Sequence, residues 1–233
     1  MISMAIFSML TTLLAFTLRS TSKVWQRTSA RDQALAQISK ARNSLTRDLM
    51  NASQTVGQWA TSTVGPSLGA GLDGDALTFL TCENGNTPWN IDNNGASVMT
   101  GEITYSLFVP VNVNTLYGLN FSGVADANGY EEACPYKWLV RRRDPAPTGN
   151  PVVVPANWNT TLLSRPSSLQ ATASSEVVST LTGMRILQSG SQWQIELKAT
   201  AVADARRKIS LGSTPLGSSP YTLVQRFTVP AHN

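Results

Sequence analysis

The sequence predicts an α+β fold in which one long N-terminal helix carries an antiparallel-sheet head on its distal half. Three observations lead there. The first eighteen residues, Met1–Leu18, hold no charge, and from Arg19 to Ser53 neither Pro nor Gly interrupts the chain. Beyond Ser53 the composition turns to Gly, Ser, Asn and Pro, between which lie short segments of alternating apolar and polar residues. The chain therefore divides into a helix, residues 1–53, and a strand-rich head, residues 54–233.

The helix is justified in two stretches. In the first, Ile2, Ile6, Phe7, Leu10, Leu13, Leu14, Phe16 and Leu18 spread apolar side chains around every face, which calls for lipid or for other helices as cover. A bilayer span takes about 20 residues, so the eighteen fall just short. No basic residue precedes the run and no small-residue cleavage site follows, which argues against a cleavable secretory signal. In the second stretch, Ala34, Ile38, Ala41, Leu45, Leu49 and Ala52 recur at three- and four-residue steps and form one stripe for packing on the head. Some fifty helical residues at about 1.5 Å each make a rod of roughly 75–80 Å, too long to fold back into a small domain.

The head follows in short pieces. Gly57–Asp75 ends the helix. Ala76–Cys82 is a candidate strand; Ile103, Tyr105, Leu107 and Val109 share a face of the next. Tyr136, Trp138 and Val140 then alternate with Lys137, Leu139 and Arg141. Trp193, Ile195, Leu197, Ala199 and Ala201 oppose Gln192, Gln194, Glu196, Lys198 and Thr200, the clearest alternation in the chain. Tyr221, Leu223, Phe227 and Val229 mark the last strand, and Ser174–Leu181 reads as a short helix with a serine cap.

Charge bounds the function. The net charge of +4 comes from residues 1–50, where seven Lys/Arg face Asp32 and Asp48; the rest of the chain is close to neutral. That leaves no basic face for nucleic acid, and the one cluster in the body, Leu139–Asp144, reads as a solvated strand end rather than a phosphate site. The only histidine, His232, lies one residue from the end, so no Ser-His-Asp or Cys-His centre is expected. Nothing indicates that Glu102, Glu131 and Glu132 converge on one cleft. Cys82 and Cys134 are in no metal-binding spacing; a disulfide and two buried thiols are equal readings. No cofactor is expected, calcium at Asp73–Asp75 or Asp92–Gly95 being a minor reading beside plain turn chemistry. Trp25 suits a membrane interface. Trp59, Trp89 and Trp158 fall in loops, as core filling or interface anchors, and Trp138 and Trp193 read as core.

The opening "MISMAIFSMLTTLLAFTLRST", continued as an amphipathic helix to "LTRDLMNAS", resembles the N-terminal helix of type IV pilin-like proteins. The order of a tyrosine-bearing strand "ITYSL", a strand ending "LVRRRD", "STLTGMRILQSGSQWQIEL" and a final "TLVQRFTV" resembles the J-type minor pseudopilins of type II secretion systems. Family members carry a Phe-Thr-Leu-x-Glu stretch just upstream of such a segment. This sequence lacks it, which is explained if Met1 is an internal methionine. The resemblance implies a structural, non-enzymatic subunit, single-pass in the bacterial inner membrane with its head in the periplasm. Its partners would be other minor pseudopilins and the major pseudopilin at the tip of a pseudopilus, with no nucleic acid. The alternatives are a minor pilin of an adhesion or DNA-uptake pilus, and a signal-anchored periplasmic enzyme or binding module. Arg19, Lys23, Arg27 and Arg31, just past the apolar run, would by the positive-inside rule place the body in the cytoplasm, opposite to what the resemblance implies.

Overall fold

Helix α1 runs unbroken from Ile2 to Leu49, 48 residues, in the computed structural model of the chain. At about 1.5 Å per residue it spans roughly 72 Å. The structure describes residues 2–53, 59–62, 76–82, 92–95, 98–108, 137–145, 175–189, 192–200 and 222–230, without the side chains at positions 2, 3, 27, 60–62, 108, 144, 145, 175, 188, 189 and 222. Several positions singled out in the sequence lie outside that description: the Ile2 side chain, Asp73, Trp89, Val109, Glu131, Glu132, Cys134, Tyr136, Trp158, Ala201, Tyr221 and His232.

Among the described residues the head is two antiparallel sheets. The first has five strands in sequence order: β1 (Trp59–Ser62), β2 (Ala76–Thr81), β3 (Gly101–Phe108), β4 (Lys137–Pro145) and β5 (Ser175–Leu181). The second has three: β6 (Gly183–Ser189), β7 (Gln192–Thr200) and β8 (Thr222–Pro230). The two sheets are joined through one residue, Thr182. Its N–H donates to the Lys198 carbonyl at 2.7 Å and its hydroxyl meets that of Thr200 at 2.9 Å. Its own carbonyl accepts from the Lys137 ammonium at 2.8 Å.

The segment expected to be a short helix, Ser174–Leu181, is a strand from Ser175 onward. The serine cap signal is local. Against it stand Val177, Val178 and Thr180, whose branched side chains favour the pleated conformation, and a free strand β4 alongside to pair with. Helix α1 supports that pairing at long range, for the Gln37 side-chain oxygen accepts the Thr180 N–H at 3.0 Å. Trp59 is likewise in strand β1 rather than a loop, half-buried and edge-on to Trp193 with centroids 5.2 Å apart.

Alternation is cleanest in β7, where Trp193, Ile195 and Leu197 are buried while Gln192 and Gln194 are exposed. In β2 every residue is buried, so period two is lost there. Thr78 fits such a strand because its hydroxyl pairs across the ladder with that of Thr104 at 3.0 Å. In β4 the alternation breaks at a register shift between Leu139 and Val140. Both residues are fully buried as a result, and Trp138, read from the sequence as core, is only half-buried.

The core lies between the distal half of α1 and the sheets. Ala34, Ile38, Ala41, Leu45, Leu49 and Ala52 are each 3% exposed or less and share one cluster with Phe79, Ile103, Leu139, Met184, Trp193 and Leu197, among others. Alanine at three of the six positions lets the helix backbone approach the strands closely, while each fully buried Leu or Ile contributes roughly 1.5–3 kcal/mol. The helix end is tied in as well: the Ser53 N–H donates to the Leu80 carbonyl at 2.9 Å, and Ala52 bridges to Thr81.

Candidate functional site

Two places on α1 are chemically distinctive, one bare and one deeply embedded. The bare one is its beginning. Residues 4–26 are exposed throughout, and the helix first meets the head at Ala30. Ile6, Phe7, Leu10, Leu13, Leu14, Phe16 and Leu18 stand between 56% and 73% exposed. An 18-residue window here has a mean hydropathy of 1.3, and none of it is buried. The helix is thus long and apolar enough to cross a membrane, a test that a signal sequence near an N-terminus also passes.

The threonine hydroxyls of the exposed half of α1 bond back to its own backbone. Thr11, Thr12, Thr17, Thr21 and Thr28 each hydrogen-bond through the hydroxyl to a carbonyl four residues back, at 2.7–3.1 Å. A hydroxyl bonded to its own helix needs no water, which makes these five threonines compatible with a hydrocarbon surrounding.

The embedded place is the junction of α1 with β3 and β4. Asp48 lies one residue before Leu49, on the edge of the apolar stripe, and is 1% exposed. Its Oδ2 accepts from the Arg141 Nε at 2.5 Å and from the Tyr105 hydroxyl at 2.6 Å; its Oδ1 accepts from Arg47 at 2.8 Å. The Tyr105 oxygen also meets the Ser44 hydroxyl at 2.7 Å. A carboxylate near the C-terminus of a helix faces the negative end of the macrodipole, so Asp48 depends on Arg141, itself 7% exposed. Burial first, and then the neighbouring Asp48 charge, pushes the Tyr105 hydroxyl well above its ordinary value.

This corrects the reading of Leu139–Asp144 as a solvated strand end: Arg141 points into the core and pins the helix. Sequence reasoning missed the whole group of Ser44, Asp48, Tyr105 and Arg141. One signal was there, a charged residue at position 48 within a stripe marked by Leu45, Leu49 and Ala52.

The second sheet holds an open pocket of about 280 Å³ lined by residues of all three strands, among them Arg185, Gln194, Glu196, Arg226 and Phe227. Glu196 meets Lys198 at 2.8 Å and Arg226 at 2.5 Å. Burial, the largest single influence, pushes its carboxyl up, but those two cations together outweigh it and hold the carboxyl below its ordinary value. Arg42 of the helix lies over the Phe227 ring at 5.7 Å. The set carries ion pairing and no nucleophile beside a base.

The remaining candidates are plain. Asp92–Gly95 is an exposed turn in which Asp92 accepts the Asn94 N–H on its side chain at 2.8 Å and the Gly95 N–H on its carbonyl at 3.0 Å. Gly95 has φ +83°, a conformation side chains disfavour. Among the described residues no three His, Cys, Asp or Glu side chains converge as metal ligands. Cys82 is buried at the end of β2, and its relation to Cys134 lies outside the described residues. Compared with protein families, with curated proteins and with solved structures, the chain matches none.

Proposed function

We propose that this protein is a structural, filament-forming subunit of pilin-like type: its bare helix lies in a bilayer and then against equivalent helices, while its head meets other subunits. The observation that carries the reading is a single uninterrupted helix that is apolar and uncovered over residues 4–18 and buried under a two-sheet head from Ala30 onward. A simple membrane anchor followed by a linker would not need a rigid continuation of some 30 residues past the span. The self-bonded threonines suit a helix that packs in lipid or against other helices. On the sequence resemblance, the assembly is a type II secretion pseudopilus, the membrane is the bacterial inner membrane, and the head is periplasmic.

The test is cross-linking in membranes. Cysteine placed at Leu10 or Leu14 in the full chain, co-expressed with the pilin-like subunits of a type II secretion system, should form helix-to-helix cross-links with them. Cross-links to the subunits of an adhesion or uptake pilus instead would move the protein to that system. A chain that leaves the membrane on carbonate washing, or that cross-links to neither set, overturns the proposal.

A further inference from the structure

The helix surface just beyond the apolar segment is left unexplained by assembly. Arg19, Lys23, Arg27 and Arg31 follow one another at four-residue spacing, so they drift slowly around one side of α1 rather than scattering. The described side chains in the set, Arg19, Lys23 and Arg31, are all exposed and have no ion pair among the described residues. The first carboxylate in the chain is Asp32. Trp25 stands in the same stretch, 71% exposed. All of these cations but Arg31 precede Ala30, the first residue of α1 that the head buries.

We propose that this segment is a binding site for anionic phospholipid headgroups, engaged where α1 leaves the hydrocarbon. The inference rests on the membrane placement proposed above and adds to it the class of lipid. Three observations support it. The basic set is continuous with the apolar run, Arg19 following Leu18 directly. Its described members, Arg19, Lys23 and Arg31, have no carboxylate partner among the described residues, as a phosphate-binding surface requires. Trp25 supplies an amphipathic ring at the depth where indoles settle between hydrocarbon and water. Under a periplasmic head these cations also run against the usual charge bias of membrane segments, and a headgroup site gives them a use that orientation does not.

Helix geometry ranks the contributions. Lys23 sits one turn, about 6 Å, beyond Arg19, whereas Arg31 is about 18 Å beyond it. Attraction to a charged surface fades over a Debye length of about 8–10 Å. Arg19 and Lys23 therefore dominate, and Arg31 contributes little unless the rod tilts.

The experiment uses the full chain, solubilised in neutral detergent and offered phosphatidylglycerol or phosphatidylcholine, with bound lipid counted by native mass spectrometry. The wild-type chain should retain phosphatidylglycerol in preference. Arg19→Gln and Lys23→Gln should each weaken that retention roughly fivefold, and Arg31→Gln should leave it within about twofold. Equal retention of both lipids by wild type, or a preference undiminished in the R19Q/K23Q double variant, overturns the site while leaving the anchor untouched. Carbonate extraction of the same proteins from vesicles reads the anchor separately: loss of the wild-type chain from the membrane would remove both the anchor and the lipid site. Cross-linking to pilin-like subunits stays independent of either result.

Discussion

The two halves of α1 are built from similar residues and live in opposite surroundings. Leu10, Leu13 and Leu14 are 60–63% exposed, whereas Leu45 and Leu49 have no exposure at all. What differs is the pattern. In the first half apolar residues occupy all faces, so no single sheet can cover them. In the second most of them keep to one stripe, Leu35 excepted, and Arg31, Lys40 and Arg42 are exposed on the other faces. The comparison teaches that the spacing of apolar residues, more than their number, decides whether a helix is buried by its own chain or left for others. It also predicts that equal substitutions in the two halves have unequal effects on the head.

The largest effect is expected at the buried ion pair. Arg141→Met strands the Asp48 carboxylate in the core and should destabilise the head by about 3–5 kcal/mol, read by denaturant unfolding of the full chain in detergent micelles. The double variant Asp48→Leu/Arg141→Met removes both charges and should recover most of that loss. If the single variant unfolds like wild type, the distal half is held by its apolar stripe alone.

A smaller loss, about 1.5–3 kcal/mol, is expected for Tyr105→Phe, which deletes the hydroxyl donating to Asp48. This variant also sharpens the pH behaviour. Because the folded state raises the Tyr105 value above 10.0, the stability it provides is full below pH 10 and is lost as pH climbs toward the folded value. Wild type should therefore lose stability progressively above about pH 10, and Tyr105→Phe should lose less over the same interval. Equal alkaline slopes would mean that Tyr105 titrates alike in both states.

The smallest effect on the head belongs to the bare half. Leu13→Ala should shift unfolding by no more than about 0.5 kcal/mol, while the fraction of protein resisting carbonate extraction declines. A large stability loss from Leu13→Ala would show that the two halves are energetically one.

Much of this contrast was legible in the sequence, because a breaker-free run and a three- and four-residue stripe are local signals that tertiary contacts had no reason to overrule. The helix and the strands around Ile103 and Trp193 could be read that way. Ser175–Leu181 could not: its serine suggested a cap, and only the edge of β4 and the distant Gln37 make it a strand. Strand β6, Gly183–Ser189, was not separated from its neighbours: Met184, Arg185 and Ile186 alternate, but Leu187 breaks the pattern by exposing an apolar side chain, and only Thr182 divides β6 from β5. The Asp48 site was the least visible. Its partners lie 57 and 93 residues away, and no local pattern joins a charge on a helix to one arginine in a basic cluster.

The single-residue passage at Thr182 bears on any attempt to take the head apart. With β5 ending at Leu181 and β6 beginning at Gly183, there is no linker at which to cut between the sheets. Severing the chain there would strand an edge of each sheet and release the carbonyl that holds Lys137. The two described sheets are for that reason hard to separate at this point. Fragments meant to isolate a binding surface should be bounded outside residues 175–200, never within them.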